Sequence, residues 1–241
     1  MGIALKRYDI QLSETQFGGA IIAAGGKCIV CKAGTPDKET LYDPNTELAI
    51  ANPLTPVRGK ISFCVPVERT AVDLYIQTPA GQFVVKRNVI PSGDNEIVLH
   101  GFNNKQMYVI PFSIADTTAA AETRTGISIP TNGAVQFNPL VKVTTADATQ
   151  TLDVGTLSTD SGDADGFLDG VLMTNLGLVK GTQATAGKTL GTKLFVQDSA
   201  NAGDSTGEQD ISQAGKEITY TLNAATDTAK GFIYLPINLA A

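Results

Sequence analysis

The chain has 241 residues, enough for one large or two ordinary domains, each with its own core. With 24 Gly, 11 Pro, 9 Phe, 6 Tyr, no Trp and only 17% charged residues, the composition suits extended β structure better than a highly charged cytosolic enzyme. The net charge of −6 is unevenly spread, residues 1–105 carrying 11 Lys/Arg against 10 Asp/Glu and residues 106–241 carrying 7 against 14; with no basic stripe interleaved with aromatics, direct nucleic-acid binding is excluded. No apolar run approaches the roughly 20 residues of a membrane span, and the start lacks a secretory pattern, so the expectation is a protein made in the cytosol that does not enter a membrane.

Residues 1–24 hold a basic pair, Lys6-Arg7, scattered apolar residues and a Gln16-Phe17-Gly18-Gly19 break, and are expected to form an arm without sustained periodicity. Lys6, Arg7, Tyr8 and Phe17 are its candidate partner-contact residues. Lys27 to Ala33 reads as a strand apolar on both faces, stopped by Gly34-Thr35-Pro36-Asp37. A long Ω-like connection follows, with turn signals at Tyr42-Asp43-Pro44-Asn45 and Asn52-Pro53, before Arg58-Gly59-Lys60 leads into a strand bearing Ile61, Phe63 and Val65 on one face.

Val72, Leu74 and Ile76 alternate with Asp73, Tyr75 and Gln77, and after the turn Thr78-Pro79-Ala80-Gly81 the alternation resumes at Phe83 and Val85, which predicts a hairpin. Val89-Ile90 and Glu96 to Leu99 close this first module. The polar segment His100 to Gln106 is the expected linker, with a boundary near residue 104.

The order of features in this first part, an Ala33-Gly34-Thr35 turn, Tyr42-Asp43, Asn52-Pro53 and a Gly59-Lys60-Ile61-Ser62-Phe63 strand, resembles a β module of bacteriophage structural proteins, decoration proteins and fibres among them. The resemblance covers roughly residues 20 to 100.

Beyond the boundary, strands are predicted at Met107–Phe112, Gly126–Ile129, Val135–Phe137, Leu140–Thr144, Thr151–Leu157, Phe167–Met173, Lys193–Val196, Glu217–Leu222 and Phe232–Leu239, with a Thr/Ala-rich stretch at Asp116–Thr125 and a polar loop at Ala200–Gln213. Many short strands with no amphipathic helix between them argue for a sandwich or jelly roll and against βαβ units. The predicted fold class is therefore all-β: an arm at 1–24, a small β-sandwich-like module at 25–104 and a larger antiparallel jelly-roll or β-sandwich domain at 105–241.

Chemistry-bearing motifs are few. Cys28-Ile-Val-Cys31 matches a redox C-x-x-C in letters only, because three residues of strand advance about 10 Å and place the thiols on opposite faces. Cys28, Cys31 and Cys64 are therefore expected as buried free thiols. Asp160, Asp163, Asp165 and Asp169 form an acidic, Gly-containing loop, but counting Asp163 and Asp165 as the third and fifth positions of a calcium loop puts Leu172 where a bidentate Glu is required. A solvated turn without a cation is expected. His100, the single histidine, has no second ligand in range for zinc and no nucleophile elbow to serve, and Gly187-Lys188-Thr189 lacks the preceding glycine of a phosphate loop. No catalytic residue, cofactor or metal is assigned, and an enzyme is not expected.

Leu152-Asp153-Val154-Gly155-Thr156-Leu157, the Asp/Gly loop with Phe167 to Met173, Lys216-Glu217-Ile218-Thr219-Tyr220-Thr221 and Gly231-Phe232-Ile233-Tyr234 resemble the body of phage capsid decoration, or cement, proteins of jelly-roll type. The resemblance implies a structural virion protein, a homotrimer, bound through the major capsid protein to the outside of an icosahedral shell. The alternative carried beside it is a fibre or host-recognition adaptor that binds a surface glycan.

Overall fold

The computed structural model describes residues 4–14, 20–21, 26–79, 81–91, 95–99, 105–113, 121–136, 139–180, 213–223 and 228–239. They form an all-β protein of several mostly antiparallel sheets, sandwich-like in class. The chain divides into two compact units, Met1–Asn103 and Asn104–Ala241.

Unit 1 contains β1 (Leu5–Glu14), β2 (Ala20–Ile21), β3 (Lys27–Lys32), β4 (Leu41–Tyr42), β5 (Ala49–Ile50), β6 (Lys60–Pro66), β7 (Val72–Gln77), β8 (Phe83–Val89) and β9 (Asn95–Leu99). One sheet runs β2-β1-β6-β4-β5, with β9 lying parallel to β1, and the second runs β3-β7-β8. Their inward positions follow the two-residue period of a strand. Tyr8, Ile10 and Leu12 of β1, Ile61, Phe63 and Val65 of β6, Cys28 and Val30 of β3, and Val72, Leu74 and Ile76 of β7 make one buried cluster.

The arm expected at the N-terminus is thus corrected over residues 5–14. β1 pairs antiparallel with β6 from Leu5–Pro66 to Gln11–Lys60, and Tyr8 stacks on its register partner Phe63 with ring centroids 5.0 Å apart. The physical reason stands in the sequence: Tyr8, Ile10 and Leu12 alternate with Arg7, Asp9 and Gln11, so one face is apolar from Tyr8 to Leu12 and its burial fixes the strand. Two further features position the module. Arg58 and Gly59 both take positive φ, 50° and 72°, in a two-residue turn closed by hydrogen bonds between Val57 and Lys60, which delivers the chain into β6. The open side of β3 is covered by the Ω-like connection: Cys28 exchanges backbone hydrogen bonds with Leu54, and the Asn52 side chain both accepts from Val30 N–H and donates to the carbonyls of Val30 and Glu39.

Unit 2 contains β10 (Lys105–Ser113), β11 (Thr123–Ser128), β12 (Gly133–Val135), β13 (Leu140–Thr145), β14 (Thr151–Thr156), β15 (Leu168–Leu172), β16 (Gly177–Lys180), β17 (Glu217–Leu222) and β18 (Lys230–Leu239). Of the expected linker, Lys105 and Gln106 already belong to β10, paired with Asn238 and Ile237. The sheets run β10-β18-β13-β16, with short β12 also on β18, and β11-β17-β14-β15. Apart from β12, the strands nest. The first pairs with the last, the second with the seventh, the third with the sixth and the fourth with the fifth, all antiparallel. Alternating Ile233, Leu235, Ile237 and Leu239 of β18, Tyr108, Ile110 and Phe112 of β10, and Leu152 and Val154 of β14 are buried. The rings of Phe112 and Tyr220 meet edge to face at 6.2 Å, joining the two sheets. Gly177–Lys180 was not expected as a strand; Lys193–Val196 lies outside the described residues.

Candidate functional site

The four residues expected to reach a partner from an arm do not form one surface. Tyr8 is buried, Lys6 is half-buried opposite Val65, Arg7 is exposed on the outer face of β1, and Phe17 lies outside the described residues. Arg7 is engaged within its own strand, its Nε donating to Asp9 Oδ2 at 2.7 Å. Ser62 Oγ donates to Asp9 Oδ1 at 2.7 Å and Lys60 Nζ lies 3.4 Å from the same oxygen. The Arg7 hydrogen bond, with Ser62 and the two nearby positive charges, holds the Asp9 carboxyl down at about 2. This is a cross-strand polar ladder that ties β1 to β6.

A second cluster lies on β7, where Asp73, Tyr75 and Gln77 alternate with the core residues Val72, Leu74 and Ile76 and are themselves buried. Asp73 accepts from Gly34 N–H at 3.0 Å, Asn88 N–H at 2.8 Å and Arg87 Nη1 at 2.7 Å. The same Arg87 nitrogen donates to Tyr75 Oη, and the guanidinium lies over the Tyr75 ring at 5.0 Å. Burial raises the Tyr75 phenol far above its ordinary range. A carboxylate carrying three hydrogen bonds, one from a permanent cation, is a clamp between the Gly34 turn, β7 and β8. Glu39, also buried, faces Arg69 with Nε and Oε2 2.7 Å apart.

The acidic loop between β14 and β15 is the third cluster. It leaves β14 through a 3-10 turn at Ser158–Asp160 and folds back so closely that a Cβ on Gly155 would lie 1.9 Å from the Asp163 carbonyl oxygen. Thr156 and Asp163 exchange hydrogen bonds, N–H to carbonyl at 2.8 Å and N–H to Oγ1 at 3.0 Å, while Thr156 Oγ1 donates to Gln213 Oε1. Lys216 Nζ donates to the Ser161 carbonyl at 2.6 Å, and Glu122 accepts from Ser158 N–H, Ser158 Oγ and Thr219 Oγ1 at 2.6–3.0 Å. Buried Leu157 and Phe167 anchor the two ends. A hydrogen bond to Asp163, together with partial burial and the charges of Asp163 and Asp169, raises the Asp165 carboxyl to about 6. The negative charge of one carboxyl disfavours ionisation of its neighbour. Among the described residues no group of three or more His, Cys, Asp or Glu side chains is placed to hold a metal ion. Leu172, at the twelfth position of the calcium-loop count, is exposed at the end of β15.

Cys28, Cys31 and Cys64 are buried and stand in no disulfide. Cys28 points into the unit 1 core while Cys31 Sγ lies 3.6 Å from the Pro36 carbonyl on the other face, as strand geometry requires. Burial raises the Cys28 and Cys64 thiols, which suppresses thiolate chemistry. His100, Gly187, Lys188 and Thr189 lie outside the described residues.

No protein-family model matches the sequence, and comparison with curated proteins and with solved structures found no match. The three polar clusters are therefore judged on geometry alone. Each joins strands or fixes a turn within its own unit. The Asp73 clamp was missed in the sequence because an acid alternating with apolar residues reads as a solvent-facing position. Arg87, on the partner strand of the same hairpin, was the signal that a charge pair could cover it.

Proposed function

We propose that this is a non-enzymatic structural virion protein that binds the outside of an icosahedral phage capsid, through its major capsid protein, and stabilises the shell. The nested strand pairing of unit 2 is read here as a double-sheet jelly roll, the architecture implied by the resemblance of its strands to capsid decoration proteins. The observation that carries the reading is the use of polar chemistry in the two β units: among the described residues Asp9, Asp73, Glu122 and Glu217 each bind side chains or turns of their own unit and so stiffen the β framework. Rigid β surfaces repeated over a lattice suit cementing, because weak contacts made many times hold subunits that would otherwise separate singly. Association into a threefold homo-oligomer belongs to the same reading. Fold alone does not name a function, so the test is direct.

Particles stripped of this protein are compared with particles to which it has been restored, by electron microscopy for position and by heating for genome release. Density on the outer shell and a higher rupture temperature are the expected results. An unchanged rupture temperature, with density at a fibre or a tail and binding to a host glycan, replaces cementing by the host-recognition adaptor.

A further inference from the structure

Exposed apolar side chains in unit 2 are concentrated in one place. Of the four large ones among its described residues, Met107 lies on β10, while Leu172 ends β15, Leu176 lies in the connection that follows and Leu178 is on β16; these three are 58%, 69% and 69% exposed. Among the described residues β15 is the outermost strand of one sheet and β16 the outermost of the other, each pairing on one side only, with β14 and β13. One short connection therefore joins two edge strands of the described residues and carries the three exposed leucines with them.

Exposed edges are normally blunted by charge, proline or a bulge. β15 has the bulge: its register against β14 shifts between Leu152 and Val154, and Asp153 Oδ1 takes the Gly170 N–H at 2.7 Å. β16 has neither bulge nor proline, running against β13 in unbroken register with Lys180 at its end as its one charge, and the nine residues from Val171 to Val179 contain no charge and no proline. That neutrality is notable in a unit with 8 Lys/Arg against 14 Asp/Glu. Two copies of an acidic unit repel over most of their surface and approach without that penalty only where charge is missing, whereas a basic partner would be drawn to the acidic surface and not to this side.

We infer that the β15–β16 side of unit 2 is the surface through which a second copy of this chain associates, the leucines forming the dry centre and the β16 edge adding strand-to-strand hydrogen bonds. The inference rests on the self-association in the proposed function but not on capsid binding.

Sedimentation of the full chain from 1 to about 100 µM tests it, comparing wild type with a Leu176→Asp/Leu178→Asp variant and with Leu48→Asp, which alters an equally exposed leucine (68%) in unit 1. Wild type and L48D are expected to sediment as the same oligomer, and the double variant as a monomer with association weakened at least tenfold. An oligomeric double variant overturns the surface while leaving oligomerisation intact, and loss of assembly by L48D overturns it as non-specific. A wild-type monomer at the highest concentration overturns both the surface and the threefold expectation; the particle experiment then judges cementing separately. Should the double variant unfold, hydrogen exchange on wild type decides. Protection of the Leu178 and Val179 amides that rises with concentration supports the surface, and protection independent of concentration refutes it.

Discussion

Replacing Tyr8 separates a central strand from a flexible arm. Its ring is fully buried, stacked at 5.0 Å and an interplanar angle of 5° on Phe63, while its hydroxyl has no hydrogen-bond partner among the described residues. The two halves of the side chain therefore make opposite contributions. Tyr8→Ala removes the ring and leaves a cavity between β1 and β6, at a cost of about 3–5 kcal/mol for an aromatic truncated in a packed core. For a unit of this size that lowers Tm by at least about 12 °C. Tyr8→Phe keeps the stack and deletes a desolvated hydroxyl, so stability changes by less than about 1 kcal/mol, toward the stable side. Urea unfolding followed by circular dichroism, with hydrogen exchange on β1 and β6 peptides, gives both numbers. If Tyr8→Ala unfolds within about 1 kcal/mol of wild type, β1 does not hold unit 1 together and the strand assignment fails. A loss of that size in Tyr8→Phe would mean that the hydroxyl has a buried partner. Deleting residues 1–19 removes the same strand and is expected to unfold unit 1 as a whole.

Asp73→Ala strands Arg87 and two backbone N–H groups, and should cost about 3 kcal/mol or more in chemical unfolding, with Asp73→Leu/Arg87→Met recovering part of it; equal stability of single and double variants refutes the clamp. Asp165 binds its proton more tightly when folded, at about 6, than the ordinary value of about 3.9 in the unfolded chain, so it makes stability fall as pH rises between roughly 4 and 6.5. Asp165→Asn is expected to flatten that slope and to raise the urea midpoint at pH 8, and an unchanged slope would refute the raised carboxyl. Asp9 acts in the other direction, with its folded carboxyl at about 2: its contribution is present above about pH 4 and lost as pH falls toward 2, which Asp9→Asn should abolish. Thiol titration should find almost no reactive cysteine in the native protein and three after denaturation, and a Cys28–Cys31 disulfide would contradict the strand placing them on opposite faces.

The elements legible in the sequence were those whose period and punctuation agree. β17 was read at its observed bounds, Glu217–Leu222, and the β7–β8 hairpin followed from alternation on both sides of a Pro/Gly turn. β1 was legible too, in Tyr8, Ile10 and Leu12, but the adjacent basic pair and the glycines after it drew attention from the period. β16 was not, because Gly177-Leu178-Val179-Lys180 is too short to show a period and becomes a strand only by pairing with β13. The polar clamps were illegible for a different reason. Whether Asp73 faces water depends on which segment crosses over it, and a Gly34 turn from far along the chain supplies that cover. The parallel pairing of β9 with β1 likewise has no local signature.

The place of β18 has a consequence for how the protein is made. This strand, ending at Leu239, lies between β10 and β13, and its register joins Lys105 to Asn238 at one end and Ser113 to Lys230 at the other. β10 therefore emerges from the ribosome long before its neighbour exists, and the first sheet of unit 2 cannot close until β18 has been made. Every strand of unit 1 has been synthesised by then. A product terminated before Lys230 would lose a central strand from one sheet, and with it the apolar row that faces the other, so the loss of this one strand disables the whole unit. Termination ahead of β18 yields molecules in which unit 2 does not fold, instead of copies that fold with a local defect.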